Sequence, residues 1–255
     1  MKKIFGILII IIMFCSAVFT AENKTISTGE YVSKISVMKK YTDVNHRILM
    51  LSKMRNQTKQ LSEADINVIK KYVYGAVKGE DTYLLINCYL RGNLQDYVPK
   101  KEITTPLKCR LDYYAKALSS SISKTRLPQN TILYRGIDEK GAKALFASKN
   151  VDNLINLPVS EDNLSKLRLA LLNFEIVEKG FMSTSYDKNC AKQTKFLLEV
   201  NAPKNIQAVL IEDLGKKSEK EVIINKQTVW KIVGISIESS KGRQYYRMKL
   251  RFVKK

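Results

Sequence analysis

The chain has 255 residues, of which 45% are hydrophobic and 27% are charged, and its formal net charge is +20. This composition is typical of a folded globular protein and excludes a disordered one. The charge is compatible with nucleic acid, an anionic membrane or an acidic protein as partner. Nucleic acid ranks last and is not expected, because the Lys and Arg residues are scattered and form no zinc-finger or arginine-rich pattern.

The first residues have the features of a secretory signal. Residues 1–3 are positively charged, residues 4–14 are apolar, and small residues precede the first acid, Glu22. We therefore predict a signal peptide over 1–21, a secreted protein, and a single domain over 22–255. The alternative is a retained membrane anchor, since the uncharged stretch nearly reaches the length of a membrane helix.

The residue types exclude some catalytic sites. A single His46 excludes His-rich metal sites and argues against a Ser–His or Cys–His pair. The cysteines beyond the predicted signal peptide, Cys88, Cys109 and Cys190, lack zinc-ligand spacing, so no metal is expected. They allow at most one disulfide, and we expect three buried thiols instead. Carboxylate, hydroxyl and Arg side chains must therefore carry any chemistry.

Helical patterns dominate residues 28–118, and strand patterns dominate the chain after residue 180. Ser62 is a good N-cap and predicts a helix start. Further helices are predicted over 82–90, ending at Gly92, over 107–120, around 141–147 and near 164–172. Strands are predicted at 131–134, 181–185, 196–200, 207–211, 222–225, 229–237 and 245–253. The pattern indicates an α+β fold with a helical N-terminal part packed on a C-terminal sheet.

Two carboxylates lie two residues apart where a predicted loop, residues 212–217, meets a predicted strand. Residues i and i+2 of a strand project from the same face, so Glu219 and Glu221 are expected to reach one site. Paired acids suit chemistry at a sugar carbon, because one stabilises an oxocarbenium-like centre while the other orients the attacking group. The alternative interpretation is a solvated edge strand.

Three further motifs accompany the paired acids. Arg135 ends a predicted strand and is followed by Gly136, which permits a tight turn, and a guanidinium there suits a phosphate. Ser183 lies in 180–185, a strand with hydroxyls at alternate positions. The third motif places the Asn87 amide and the Arg91 guanidinium, four residues apart, on one face at the end of the predicted helix. Taken singly, these are ordinarily a surface salt bridge, a polar strand face and a solvated helix face.

In this order the motifs resemble those of the bacterial toxin-type mono-ADP-ribosyltransferases, which carry an Arg, a Ser-Thr-Ser and a Glu-x-Glu motif. The resemblance runs from 61 to 232 and includes an Ile-Asn-x-x-Leu-Arg pattern at 86–91. It implies an ADP-ribosyltransferase-like fold, in which the helical part packs on a two-sheet mixed β core. It also implies NAD as a substrate and no metal.

The resemblance implies a set of NAD-binding residues. Arg135 would hold the NAD phosphates and Arg91 would assist it, while Asn87 would line the same pocket. The predicted binding residues are Arg135, Asn87, Arg91, Ser183 and Gly136.

The predicted catalytic residues are Glu221, Glu219, Ser183 and Arg135. Ser183 would orient Glu221, which would contact the nicotinamide ribose hydroxyl and stabilise positive charge as nicotinamide leaves. In this family, Glu at the first acid position accompanies modification of arginine, whereas Gln accompanies asparagine in Rho-type GTPases. Glu219 therefore predicts arginine as the acceptor, because a carboxylate can align a guanidinium and take its proton.

The chain departs from the family pattern in two respects. The loop before the paired acids often carries an aromatic residue that recognises the target protein, and here it offers Leu214, Lys216 and Lys217. The adaptor domain of the actin-modifying binary toxins has no counterpart in 255 residues. We therefore expect a monomeric, stand-alone enzyme with no obligate adaptor domain.

Three functions remain open on the sequence. The first is a secreted NAD-dependent transferase that modifies arginine in host proteins, with actin-like targets by resemblance and NAD glycohydrolase side activity. The second is the same enzyme with water or a Rho-type GTPase as its main acceptor. The third is a basic, non-catalytic secreted binding protein whose acids are solvated.

Overall fold

The computed structural model describes residues 28–253 apart from 78, 150, 192–193 and 215–219, with side chains from residue 44 onward except 77 and 213. The chain divides into two units, 1–47 and 48–255, and the site lies in the second. The predicted signal peptide over 1–21 lies outside the described residues. In the part of the chain described, no helix combines the length and hydropathy that crossing a membrane requires.

Helices make up the N-terminal part of the described chain. Helix α1 is Thr28–Lys59, α2 is Glu63–Tyr74, α3 is Thr82–Arg91 and α4 is Thr105–Ser123, with a hairpin of β1 (Ala76–Val77) and β2 (Glu80–Asp81) before α3. The predicted helix start at Ser62 is confirmed, because Ser62 and Asp65 form a reciprocal capping box. The predicted end at Gly92 is also confirmed, with Gly92 in the left-handed conformation at φ 80°.

Strands dominate the remainder, and three consecutive helices lie between the first two of them. The strands are β3 (Thr131–Ile137), β4 (Glu175–Glu178), β5 (Met182–Ser185), β6 (Phe196–Ala202), β7 (Ala208–Leu210), β8 (Glu221–Ile224), β9 (Thr228–Ser240) and β10 (Arg243–Phe252). The helices are α5 (Glu139–Phe146), α6 (Asp152–Asn156) and α7 (Glu161–Leu171). The α+β class is therefore confirmed. Strand β4 and the β1–β2 hairpin were not predicted.

The eight described strands β3–β10 form one mixed sheet in the order β4-β9-β10-β6-β3-β5-β8-β7. Strands β6 and β10 are parallel and the other pairs are antiparallel. The resemblance implies two sheets. In the structure a long half (β4, β9, β10, β6 and β3) and a short half (β5, β8 and β7) are joined through a single described residue pair, Tyr134 with Ser185. The mixed β core is thus one sheet with two halves.

Two hydrophobic clusters hold the elements together. One lies between both halves of the sheet and helices α5–α7, and its largest buried side chains include Trp230, Tyr246 and Phe196. The other packs α2, α3 and α4 on the opposite face of the short half, through Phe181 and Ile223 among others. Side chains on this second face therefore lie between the helical part and β5 and β8.

The sheet curls strongly. Strand β4 is at one edge, four steps from β3. In a flat sheet the two would be about 19 Å apart, at roughly 4.8 Å per step. Nevertheless Glu178, the last residue of β4, lies 3.4 Å from the guanidinium of Arg135 in β3. The curl thus brings the β4 edge to the middle of the sheet.

Three local expectations differ from the structure. Gly136 makes no tight turn, because β3 continues through it and pairs it with Leu197. Strand β8 begins at Glu221, and Lys220 before it has a φ of 48°, so the strand rule does not relate Glu219 to Glu221. Of the three expected buried thiols, Cys88 is buried, whereas Cys109 is exposed and Cys190 is half-buried.

Candidate active site

A cleft of about 570 Å³ opens where the two halves of the sheet meet the helical part. This volume is within the range of roughly 300–1,000 Å³ that is usual for ligand sites. The structure brings four predicted site residues to this cleft, from three strands: Arg135 and Gly136 from β3, Ser183 from β5 and Glu221 from β8. Its other lining residues are Tyr72, Val73, Tyr83, Tyr134, Thr184, Ser185, Cys190 and Ala191.

Ser183 and Glu221 are hydrogen-bonded across β5 and β8. The Ser183 hydroxyl donates to Glu221 Oε1 at 2.5 Å. In the register of these strands Ser183 is opposite Ile223 and Ser185 is opposite Glu221, so Ser183 and Glu221 are diagonal neighbours on one face. Glu221 is 8% exposed. The Ser183 hydroxyl thus holds a nearly buried carboxylate at the cleft.

Arg135 and Arg91 meet at a carboxylate that the sequence analysis missed. Arg91 donates to Glu178 through Nε and Nη2, both at 2.9 Å, which is a two-point pair. Arg135 Nη1 lies 3.4 Å from Glu178 Oε2, and the backbone N–H of Gly180 donates to Oε1 at 2.9 Å. Glu178 therefore accepts from two guanidinium groups and one backbone amide.

Burial and charge act in opposition in this cluster. Burial raises the pKa of Glu178, but Arg135, Arg91 and the Gly180 amide outweigh it, so the pKa lies below its usual range. For Arg135, burial dominates and lowers the pKa below its usual value. An arginine nevertheless stays protonated. The three side chains together carry one net positive charge beside the cleft.

Asn87 is buried behind the cleft and is not among its described lining residues. Its Nδ2 donates to the Tyr72 hydroxyl at 2.8 Å, and its Oδ1 accepts from the Phe181 backbone N–H at 2.7 Å. Gly180 leaves room for this contact, because a Cβ there would be 2.6 Å from Asn87 Oδ1. Asn87 thus links α3 to α2 and to the segment that enters β5.

An aromatic wall from the helical part faces the acid. Tyr72 of α2 makes edge contacts with Tyr83 and Phe181, with ring centroids 6.4 Å and 5.5 Å apart. Burial raises the pKa of Tyr72 above its usual value. From sequence, most tyrosines were assigned to the core. That assignment is confirmed for Tyr72, which is buried in the core cluster and also lines the cleft, whereas Tyr83 is exposed and lines the cleft. A helical repeat does not reveal which core residues border a cleft.

The residues that flank the predicted acceptor acid are anchored to one short segment. On one side Glu212 accepts from Tyr186 Oη at 3.0 Å and from Arg55 Nη2 at 2.8 Å. On the other side Lys220 pairs with Asp187 at 2.6 Å. Glu219 itself lies outside the described residues, as do Lys216 and Lys217. Both ends of the segment 212–220 therefore rest on the two residues that follow Ser185.

A second cavity of about 400 Å³ adjoins the cleft and shares Ala191 with it. It is lined by Lys188, Lys195 and Tyr245, among others. Lys188 is paired with Glu238. None of the predicted site residues that the structure describes lines this cavity, so the cleft with Arg135 and Glu221 is the better candidate for the active site.

The cleft combines three chemical capacities. Arg135 offers a guanidinium that suits a phosphate. Glu221 offers a fixed negative charge that can stabilise a cationic centre. The tyrosines offer apolar surface for a planar ring. Together they suit a ligand that contains phosphate, a sugar and a ring.

Comparisons with known proteins agree with this geometry. The family model described as ADP-ribosyltransferase exoenzyme matches residues 50–255. No curated protein sequence gives a significant match.

Solved structures of bacterial toxins share the fold. Plx2a, an ADP-ribosyltransferase toxin from Paenibacillus larvae, is 19% identical with a TM-score of 0.64, covering 82% of this chain and 94% of its own. C3stau2 from S. aureus, solved with NAD, is 17% identical with a TM-score of 0.60, covering 81% and 96%. BECa of a binary enterotoxin of C. perfringens, solved with NADH, is 20% identical with a TM-score of 0.61, covering 82% of this chain but 48% of its own. The chain therefore belongs to the ADP-ribosyltransferase exoenzyme family and is a toxin-type, NAD-dependent mono-ADP-ribosyltransferase.

Proposed function

We propose that this protein is a secreted enzyme that transfers ADP-ribose from NAD to arginine side chains of host proteins. The observation that carries the proposal is the meeting of Arg135, Ser183 and Glu221 around one cleft. An enzyme that breaks a glycosidic bond in NAD needs a phosphate contact and a negative charge at the ribose. These three side chains supply both.

The proposed reaction breaks one bond and forms one. The bond from ribose C1′ to the nicotinamide nitrogen breaks, and nicotinamide leaves with the electron pair as a neutral molecule. Glu221 stabilises the positive charge that develops on the ribose. Glu219 takes a proton from the guanidinium of the acceptor, and the nitrogen lone pair that this frees forms the new bond to C1′.

The choice of arginine rests on Glu219. A carboxylate can hold a guanidinium at two points and remove its proton, whereas an amide can do neither as well. Arginine is protonated at neutral pH, so it needs such a base before it attacks. Actin-like proteins are the proposed targets by resemblance to the arginine-modifying toxins. When no acceptor is bound, water takes its place, and the enzyme hydrolyses NAD.

Secretion is proposed from residues 1–21, which combine a basic start, an apolar core and small residues. Expression of the full chain, followed by N-terminal sequencing of protein from the medium, tests this. A mature N-terminus near residue 22 supports a cleaved signal peptide. Recovery of the intact chain in the membrane fraction supports a retained anchor.

The transferase proposal is tested with NAD that carries a label on ADP-ribose. The mature protein is incubated with this NAD and a host-cell lysate, and the modified residue is mapped by mass spectrometry. A label on arginine supports the proposal. A label on an asparagine of a Rho-type GTPase contradicts the arginine assignment, and the absence of both label and nicotinamide release supports a non-catalytic binding protein.

The role of Glu219 is tested with Glu219→Gln. We expect transfer to arginine to fall by at least about 10²-fold, a typical contribution of general acid–base catalysis, while much of the NAD hydrolysis persists. Agmatine, a small guanidino compound, serves as the acceptor, so that the result does not depend on the target protein. Undiminished transfer to agmatine in this variant would show that Glu219 is not the base.

A further inference from the structure

Glu178 is a buried carboxylate next to the predicted phosphate site, and no motif accounts for it. Its side chain is 3% exposed and lies between Arg91 and Arg135. A buried carboxylate is costly unless it is paired and hydrogen-bonded, and Glu178 is both. A negative charge beside a site for an anionic ligand works against binding. The structure must therefore gain something from Glu178 that offsets this repulsion.

The contacts of Glu178 show what it fixes. Its two oxygens accept from Nε and Nη2 of Arg91 at 2.9 Å, which sets the orientation of that guanidinium plane. Oε2 also lies 3.4 Å from Arg135 Nη1. The Gly180 backbone N–H donates to Oε1 at 2.9 Å and ties the carboxylate to the chain that enters β5. Glu178 thus connects α3, β3 and the segment that enters β5.

We propose that Glu178 is a positioning residue that, together with Arg91, orients Arg135 toward the diphosphate of NAD. This inference rests on the proposed function, because it assigns the diphosphate to the same cleft. Arg135 lines the cleft, whereas Arg91 is not among its described lining residues. Arg91 and Glu178 therefore act on the ligand through Arg135. A side chain displaced by about 1 Å can lose much of its contribution to ligand binding. The correct placement of Arg135 therefore outweighs the repulsion between Glu178 and the diphosphate.

Glu178→Asp separates orientation from charge. The variant keeps the negative charge, but its carboxylate is one methylene shorter and cannot keep all three contacts. We expect the dissociation constant for ADP-ribose to rise about tenfold and the KM for NAD to rise similarly. We expect kcat to change less than threefold, because the acid at the ribose is untouched. Unchanged ADP-ribose affinity in Glu178→Asp would overturn the proposal.

Glu178→Gln tests the proposal through the direction in which the affinity for ADP-ribose changes. If Glu178 were merely a counter-charge, its removal would leave two guanidinium groups free to attract the anion, and ADP-ribose would bind more tightly. If it orients Arg135, binding weakens although the site becomes more positive. Tighter binding in this variant would overturn the proposal. Melting temperatures of both variants show whether the folded state is retained at the assay temperature.

Two controls make the result specific. Inhibition by nicotinamide, which has no phosphate, should stay within about twofold of wild type in both variants. Asp65→Asn removes another buried, ion-paired carboxylate, on α2, and should leave ADP-ribose affinity unchanged. If the wild type neither binds ADP-ribose nor releases nicotinamide, the proposed function itself fails. Active wild type with unaffected Glu178→Asp contradicts the positioning role and leaves the proposed function standing.

Discussion

The Ser183 hydroxyl and the Glu221 carboxylate are joined by a hydrogen bond of 2.5 Å between diagonal positions of two antiparallel strands. We expect Glu221→Gln to lower nicotinamide release by about 10²–10³-fold, because a fixed charge at a cationic transition state is lost. Ser183→Ala should cost less, about tenfold, because it removes the group that orients the acid. A continuous assay of nicotinamide release measures both.

The matched control is Ser165→Ala. Ser165 is an exposed residue of α7 whose hydroxyl donates to the Glu161 carbonyl, and it lines no described part of the cleft. This variant should be as active as wild type. A Glu221→Gln protein with wild-type nicotinamide release would remove the basis for the assignment of this site.

Arg135→Lys tests the phosphate contact. A lysine keeps the charge but not the planar fork, so two-point contact with a phosphate is lost. We expect the KM for NAD to rise by about 10-fold or more, with a smaller change in kcat. Arg251→Lys on β10 is an exposed substitution of the same type and should change neither constant. Equal KM values for all three proteins would show that Arg135 does not bind NAD.

Gly180→Ala probes the packing behind the cleft. The added Cβ would be 2.6 Å from Asn87 Oδ1 and 3.2 Å from Glu178 Oε1, and both atoms are held by hydrogen bonds. We expect the free energy of unfolding to fall by about 1–3 kcal/mol, the usual cost of overpacking, and the KM for NAD to rise. Urea titration gives the first quantity.

Gly234→Ala is the control for this effect. Its Cβ would meet nothing closer than Lys249 Cδ at 3.7 Å, an ordinary contact. This variant should keep the wild-type KM for NAD. If Gly180→Ala matched Gly234→Ala in both stability and KM, the close approach of Asn87 to the chain at 180 would have no energetic consequence.

Asp65 predicts a specific loss of stability in acid. Burial alone would raise its pKa, but hydrogen bonds from Lys124, Ser62 and Ser121 outweigh burial. The pKa is therefore lowered from 3.8 to about 2. A depressed pKa means that the stabilisation is complete above pH 3.8 and is lost as the pH falls through about 2. Full linkage gives roughly 2.4 kcal/mol, and solvent around Lys124 reduces this to about 1–2 kcal/mol.

The measurement is the free energy of unfolding of wild type and Asp65→Asn between pH 7 and the lowest pH at which both fold. The variant should be less stable by about 1–2 kcal/mol at pH 7, and the difference should shrink toward acid pH. A difference that is constant with pH would mean that Asp65 stabilises the protein through packing and capping alone.

Local sequence rules were sufficient for most of the helices and strands, and the family resemblance was sufficient for part of the site. Ser62 and Gly92 mark helix ends because their effects reach only a few residues along the chain. Arg135, Ser183 and Glu221 could be named because they occur in an ordered set of motifs. The structure places them in one cleft.

Long-range geometry accounts for what was missed. The contacts of Glu178 span 87 residues to Arg91 and 43 to Arg135, and they depend on the curl of the sheet. No periodicity within the four-residue strand β4 encodes that curl. The expected strand geometry before Glu221 was missed for a different reason. Lys220 has a positive φ, and no sequence pattern marks a positive φ at a lysine. The rule that placed Glu219 beside Glu221 therefore did not apply.

The single pairing of Tyr134 with Ser185 has a consequence for motion. Along the described strands it is the narrowest line of backbone bonding in the sheet, and the residues that bind and react lie on both sides of it. Backbone amides along this line should exchange with deuterium sooner than those of the long β9–β10 ladder. A bound dinucleotide would contact both halves across this line, stabilise their pairing and slow that exchange.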